Sequence, residues 1–585
     1  MPQAQTLIRG WRIWTVLLVF LLGALYIGVR LFQLQVLDET KMATRVVNNI
    51  TRTDQILPNR GLIRDARGFL LAGDAQAADL YLDKGQIKAT DLHTLADLLG
   101  PVLAESPDDL YNRIRSVTAT NTLLLARRLD SEATARVRQL RNTWPVVQGS
   151  VWLDQQPRRD YPNGNFAAHI LGFTDYDNQG QYGVEQFYDD KLAGTPGFVT
   201  AERDSNMIPL PVGDSSQKPA MDGADLDLTI DSAVQYMAER ELDTTLKQTG
   251  AQKGMILIAD PYTGAIVALA TSPRFDPNHF TDIGQDGWGL YKNPAVSDVY
   301  EPGSTFKVLT MASAIDGGAV TPDTTFNCTG LVHVYGFNIW NSTQTAHGVE
   351  SMKEGLAHSC NIAIDYAATS LGEKKFYEYM KAFGIGQPTG IDMAGEVRGL
   401  FHPPGDDEYN PINLYTNGFG QGVSVTPVQL VAGISAVANG GLLMKPYVVS
   451  TVSRNGTAVQ VNKPTVVRRV ISADTAAQVR GMLAWAVDTT DAGKAAKVPG
   501  YSTAAKTGTA QIAGPNGIYE SDGLGGTIAS VVGFAPVDHP KFIMLIRLDR
   551  PTSSTFGGET ASPAFGRLAA QLFQYWKVPP DQPVP

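Results

Sequence analysis

Hydrophobic and polar positions change period several times along the chain, and each change predicts an element. Residues 13–29 are a run of seventeen without a charge, bounded by Arg12 and Arg30. As a helix the run spans roughly 26 Å, slightly short of a hydrocarbon core of about 30 Å. Arg30 can snorkel, and Leu31, Phe32, Leu34, Val36 and Leu37 extend the apolar surface. The run is longer than a usual signal-peptide core and no small-residue cleavage site follows it, so it reads as a retained anchor. Arg9 and Arg12 precede it, and Asp38 and Glu39 follow. The positive-inside rule then leaves residues 1–12 in the cytoplasm, a transmembrane helix at 13–33 and the bulk of the chain outside.

Residues 34–225 mix short strand-like runs with a few helices, the latter at 90–103 and 131–142. Strands are expected at 123–129 and 151–153, and no catalytic cluster emerges. From Asp225 the texture changes. A strand-like alternation at 226–230 leads to Asp231, a plausible N-cap, and to a helix reaching about Gln248 with Val234, Met237, Leu242 and Leu246 on one stripe. Two apolar runs, 255–259 and 265–270, are joined by PYTG, which is turn chemistry, so the pair reads as a β-hairpin. Helical patterns dominate 304–439, and strand-like ones return at 504–512, 528–534 and 542–547. A sheet drawn from both ends of a segment with helices inserted between is an α+β layered domain. The predicted divisions are a pedestal at 34–225, a second domain at 226–578 and a tail at 579–585.

Composition narrows the class. At 585 residues the chain is too long for one ordinary core. With 43% hydrophobic and 18% charged residues it is globular, neither collagen-like nor disordered. A net charge of −10 argues against nucleic acid as a partner. Two cysteines, Cys328 and Cys360, exclude a disulfide-dense scaffold and lack any CxxC spacing.

Three short motifs carry candidate chemistry. In YEPGSTFK at 300–307, Ser304 and Lys307 are three apart and emerge on one helical face. A serine hydroxyl needs a base, and a lysine serves if burial keeps part of it neutral. Standing alone, an S-x-x-K is weak: Ser215 to Lys218 form another, read as an exposed loop. In Ser359-Cys360-Asn361, a polar break between two helical patterns can present two side chains to a cleft; the bland alternative is helix capping. Lys506, Thr507, Gly508 and Thr509 lie in a strand-like stretch. On an edge strand lining a cleft, Lys506 and the threonines suit an anionic substrate end, and Gly508 permits close backbone approach. The alternative is an edge lysine placed against aggregation.

Together, in the order S-x-x-K, S-x-N, K-T-G with gaps of 55 and 147 residues, the motifs resemble those of the serine penicillin-recognising transpeptidases and β-lactamases. Their extended forms, YEPGSTFK, HSCN and KTGTAQ, resemble class B (monofunctional) penicillin-binding proteins. RGLIRD at 60–65, RDYP at 159–162 and YGVE at 182–185 resemble that family's pedestal motifs, and GFGQG at 418–422 and FGG at 556–558 match further stretches of its catalytic domain.

The resemblance implies an N-terminal transmembrane helix, an extended β-rich pedestal and a C-terminal transpeptidase domain with a mainly antiparallel sheet and helices on both sides. It implies that Ser304 attacks the penultimate D-Ala of a peptidoglycan stem peptide ending in D-Ala-D-Ala. Lys307 would be the base, lowered by burial and by Lys506. Ser359 would relay the proton, and Asn361 would hold Lys307 and the substrate amide. Lys506, Thr507 and Thr509 would bind the terminal carboxylate, with Gly508 between them, and the backbone N–H groups of Ser304 and Thr509 would form the oxyanion hole. β-Lactams would stall at the acyl stage, and no metal or cofactor is expected. Expected partners are a SEDS-family glycosyltransferase and divisome or elongasome membrane proteins, with the division and sporulation branch favoured over elongation. A β-lactamase shares the motifs but not the anchor and long pedestal; a penicillin sensor needs a cytoplasmic output domain; a bifunctional synthase needs acidic motifs that 34–225 lacks. Cys360 reads as a small filler, and a Cys328–Cys360 disulfide is left open. His333, His347, His358 and His402 look scattered, and Arg60 and Arg159 read as structural salt-bridge residues.

Overall fold

A computed structural model describes residues 10–33, 35, 51–118, 120–202, 215–342, 344–512, 514, 519, 520 and 523–583. Arg9, Leu34, Val36, Leu37, Asp38 and Glu39, used above for the anchor and its orientation, lie outside the described residues.

The chain separates into two compact units, Met1–Pro58 with Gly194–Asp222, and Asn59–Ala193 with Gly223–Pro585. The first holds the helix Gly10–Phe32, the one helix among the described residues that is long and apolar enough to cross a membrane. It also holds a three-stranded antiparallel sheet, Thr51–Ile56, Gly197–Glu202 and Ser215–Lys218. Ser215 to Lys218, expected in a loop, are therefore an outer strand. Pairing with Gly197–Glu202 satisfies the backbone, while Ser216, Gln217 and Lys218 stay exposed as polar edge residues do.

In the second unit, Leu70–Asp83 pairs with both Thr122–Leu129 and Val151–Asp160. The last strand is far longer than 151–153, because Leu70–Asp83 offers it a ten-residue partner, Gly73 to Leu82 against Asp160 to Val151. Helices Leu92–Leu103, Pro107–Ser116 and Ser131–Thr143 close a separate small core around Leu80, Leu95, Leu99, Leu110 and Val137. Strand Asp225–Leu228 runs through the expected pedestal boundary. It pairs in parallel with Ile63–Arg64 on one side and antiparallel with Val449–Arg454 on the other, tying pedestal strands to the later domain.

Beneath this joint lies a buried ion cluster. Glu185, fully buried, accepts from Arg159 Nε at 2.7 Å and Arg60 Nε at 2.7 Å, and Tyr161 donates to it at 3.2 Å. Arg60 also reaches Asp189 at 2.7 Å and Arg159 reaches Asp74 at 3.4 Å. The structural role expected of the two arginines is what this geometry gives.

The later domain is a five-stranded antiparallel sheet in the order Ile266–Ser272, Lys253–Ala259, Phe542–Asp549, Thr527–Ala535, Ala504–Gln511. Its strands alternate between two cores. Ile256 and Ile258 face the helices Ser232–Thr249 and Gly557–Trp576, while Met255 and Leu257 face the core around Val308, Leu309 and Met311. With helices on both faces, Thr527–Ala535 is buried at every position, which is why it reads as a continuous apolar run. Asp231 caps its helix as expected, accepting from Ala233 and Val234. Of the sheet's two outer strands, Ile266–Ser272 and Ala504–Gln511, the second carries Lys506.

Candidate active site

Three separated pieces of chain meet at that outer strand. The first is the serine turn. Gly303–Thr305 is a single 3-10 turn, and the α-helix begins at Lys307 and runs to Asp316. Ser304 was expected to open the helix; it lies one tighter turn before it. Gly303 takes a φ of +55° and donates to the Gly420 carbonyl at 3.0 Å, and Thr305 Oγ1 donates back to Pro302 at 2.7 Å. A Cβ at Gly303 would lie 2.7 Å from the Thr509 carbonyl. Only glycine fits a positive φ pressed this closely between two backbones. Ser304 is thereby half-buried beside the Lys506 strand, with Lys307 fully buried behind it.

The second piece is the break between helices Met352–Ala357 and Asn361–Leu371. Ser359 has a φ of +56°, a left-handed conformation costing a non-glycine residue on the order of 1 kcal/mol. Neither Ser359 nor Asn361 caps the second helix. Cys360 does, its Sγ accepting from Ala363 N–H at 3.4 Å. Asn361 is oriented from outside: its N–H donates to Asn341 Oδ1 at 2.9 Å and its Nδ2 to the Trp340 carbonyl at 2.7 Å.

The third piece is the edge strand Ala504–Gln511. Lys506 and Gly508 are buried, whereas Thr507 and Thr509 are half-buried. The close approach expected at Gly508 is made by the protein itself. A Cβ there would meet Ser530 Oγ at 2.6 Å, Thr305 Cγ2 at 2.9 Å and the Pro302 carbonyl at 3.2 Å, so the missing side chain seats the serine turn.

The pieces converge on one hydroxyl. Lys506 Nζ donates to Ser359 Oγ at 2.9 Å, and Lys307 Nζ lies 3.3 Å from the same oxygen. Lys307 further donates to the Ser359 carbonyl and to Asn361 Oδ1, each at 2.6 Å. Burial pushes Lys307 down to about 7, with Cys360 and Asp365 pulling it partly back. Burial also drives Lys506 well below its ordinary value, and the charge of Lys307 drives it further. Two ammonium groups sharing one buried hydroxyl cannot both stay charged cheaply. At neutral pH part of Lys307, three residues after Ser304 in the chain, is therefore a free amine.

Sequence reasoning missed several supports. Asn341 and Trp340, at the end of strand Phe337–Trp340, orient Asn361 although no local pattern marks them. Glu301 accepts from Gly422 N–H at 2.9 Å and from Tyr519, fastening the serine motif to the GFGQG segment. Asp365, buried behind Lys307, looks in sequence like any helical aspartate. The histidines are less scattered than their spacing suggested. Strand pairing of Thr325–Cys328 with Gly348–Ser351 brings Cys328, His347 and Cys360 together. Their donor atoms all lie within 4.8 Å of one another, so this trio could hold a metal ion, as could His347, Glu350 and His358. Cys328 and Cys360 are free thiols with Sγ atoms 3.2 Å apart. Burial pushes the Cys360 thiol up to about 12, which suits a filler and cap rather than a nucleophile.

A half-buried serine, a buried lysine three residues on and a second lysine on an edge strand of an antiparallel sheet form the arrangement expected of a serine acyltransferase of the penicillin-recognising kind. Comparison with known proteins agrees. Residues 254–570 match the penicillin binding protein transpeptidase domain, and residues 55–228 match the penicillin-binding protein dimerisation domain. Stage V sporulation protein D of Bacillus subtilis is 33% identical over 95% of this chain and 84% of that protein. The peptidoglycan D,D-transpeptidase FtsI of Escherichia coli is 27% identical over 96% and 90%. Among solved structures, penicillin binding protein 3 from Mycobacterium tuberculosis complexed with aztreonam superposes with a TM-score of 0.68 at 26% identity, covering 91% of this chain and 99% of that one. The chain belongs to the class B penicillin-binding proteins, the serine D,D-transpeptidases of cell-wall synthesis.

Proposed function

We propose that Ser304 is the nucleophile that takes the acyl group of a stem peptide ending in D-Ala-D-Ala. Lys307 accepts the hydroxyl proton as the Ser304 Oγ–carbonyl bond forms. The bond to the terminal D-Ala nitrogen then breaks, and Ser359, bridging both lysines, passes a proton to the leaving amine. Asn361 holds Lys307 and the substrate amide; Lys506, Thr507 and Thr509 hold the terminal carboxylate along the strand that contains Gly508. Backbone N–H groups of Ser304 and Thr509 carry the oxyanion, where losing one such donor typically costs about 3 kcal/mol. An amine of a neighbouring strand resolves the acyl-enzyme and creates the cross-link.

The observation that carries this reading is the single Ser359 hydroxyl between two buried lysine amines, 3.3 Å from Lys307 and 2.9 Å from Lys506. Labelled penicillin should attach to the wild-type chain and persist for many minutes, and the Ser304→Ala variant should take up none. Covalent labelling that survives in that variant overturns the assignment, and rapid turnover of the label points to a β-lactamase instead.

The division and sporulation branch is favoured by the serine motif YEPGSTFK and by the sporulation protein among the relatives. Working there, the chain would pair with a SEDS-family polymerase and divisome membrane proteins. A fluorescent fusion should collect at the septum; a side-wall pattern would assign it to elongation. Residues 1–12 would lie in the cytoplasm and the catalytic domain outside, as the arginines before the apolar helix favour. Protease added to intact spheroplasts should therefore remove the catalytic domain, and full protection would reverse the topology.

A further inference from the structure

We propose that Cys328, His347 and Cys360, with Glu350 as a fourth ligand, form a binding site for zinc beside the Ser359–Asn361 break. The inference goes beyond the acyl-transfer reading and does not use it, since neither Ser304 nor the two lysines take part.

Three segments bring the donors together. Cys328 ends the strand Thr325–Cys328, and Glu350 lies on its antiparallel partner Gly348–Ser351, which His347 immediately precedes. Cys360 sits in the chain between Ser359 and Asn361. Cys328 Sγ is 3.2 Å from Cys360 Sγ and 3.6 Å from His347 Nδ1, and His347 Nδ1 is 3.5 Å from Glu350 Oε2. A tetrahedral ion with Zn–S bonds of about 2.3 Å and Zn–N or Zn–O bonds of about 2.0–2.2 Å sets neighbouring ligand atoms roughly 3.4–3.8 Å apart. The spacings at His347 already match, and the two sulfurs need to part only slightly.

A second observation is independent of those distances. Glu350 is 6% exposed, and its Oε2 has no hydrogen-bond partner, whereas its Oε1 lies 2.6 Å from His358 Nδ1. A buried carboxylate oxygen left without a partner is costly, and a cation bound at His347 would satisfy it. Asn341 Nδ2 donates to Cys328 Sγ at 3.1 Å while its Oδ1 accepts from Asn361 N–H at 2.9 Å, so one amide joins the site to the S-x-N motif.

Two thiols, an imidazole and a carboxylate suit zinc, whereas magnesium and calcium take oxygen ligands. Binding is an exchange: each thiol gives its proton to water, and one divalent cation meets the two thiolates. Burial keeps Cys360 protonated in the metal-free chain, and a coordinated thiol gives that proton up outright. The bound ion fastens the strand pair to the break between the two helices, stabilising the fold there without entering the reaction.

The probe is cobalt(II), followed by zinc, added to the reduced, chelator-stripped, detergent-solubilised full chain. One equivalent of cobalt should produce thiolate charge-transfer and tetrahedral visible bands, and one equivalent of zinc should abolish them. Zinc should also raise the melting temperature by several degrees. Cys328→Ser and His347→Gln should each weaken cobalt binding about a hundredfold, whereas His333→Ala, on an exposed strand, should bind as wild type does. A cooperative melt without metal checks that each variant is folded, and His347→Gln, at the half-buried ligand, stands in if Cys328→Ser is not. Absence of the bands from the reduced chain, or bands unchanged in the folded ligand variants, overturns the proposal. Ser304→Ala should bind cobalt like wild type, so failure of the acyl-transfer reading would leave this result untouched.

Discussion

Two buried clusters of charge sit in the same compact unit and are built on opposite terms. In the pedestal, one carboxylate, Glu185, is shared by two arginines, with Asp74 and Asp189 at the margins and Tyr161 filling a remaining lone pair. Burial alone would raise Glu185; Arg159 and Arg60 overcome it and hold the group below its ordinary range. In the crevice, two lysines share a neutral hydroxyl, and no carboxylate among the described residues pairs with either at ion-pair distance. The pedestal cluster is matched and therefore inert. The crevice is mismatched, so burial brings Lys307 down to about 7 and drives Lys506 well below its ordinary value. Stability is obtained by satisfying charge, and reactivity by withholding the partner.

The largest effects should separate the two clusters outright. Lys307→Met should lower the acylation rate at least a thousandfold, while thermal unfolding shifts upward by roughly 1 kcal/mol of stability because a poorly paired buried amine is removed. Stopped-flow labelling and calorimetry on the same sample check both. Glu185→Ala should do the reverse, costing about 3–5 kcal/mol by stranding two arginines. Acylation per folded molecule, counted by active-site titration, should stay within about twofold; a thousandfold loss there would mean that the pedestal cluster works in catalysis.

The pH response should sharpen the contrast. Lys307 titrates at about 7 in the fold against 10.5 when exposed, so the unfolded chain binds its proton more readily between those values. Its penalty on stability is full below about 7 and fades as pH rises toward 10.5. Glu185 has the opposite sign: its contribution is present above the ordinary carboxylate range and is lost as acid protonates it in the fold. Acylation should therefore fall about tenfold per unit below about 7, well before the pedestal cluster protonates. Denaturant melts and labelling rates across pH would expose any overlap. The smallest effect is expected at Cys360. Cys360→Ser keeps a capping oxygen and removes a thiol held at about 12, so acylation should change less than about threefold.

Much of this molecule was legible in one dimension. The apolar run at 13–29, the hairpin around PYTG, the helix capped by Asp231 and the edge strand with Lys506 depend on local periodicity and turn chemistry, which act between neighbours in sequence. The candidate site side chains were legible because each short motif sets its residues within four positions of one another in the chain. Other features needed the folded chain. Ser359's left-handed backbone, the 3-10 turn at Ser304, the Cys328–His347–Cys360 cluster and the unpaired Asp365 each arise where distant segments press together. Burial and the absence of a partner are properties of a place in space. A lysine reads the same in sequence whether water or a second lysine surrounds it, so its basicity was decided only when the strands and helices closed over it.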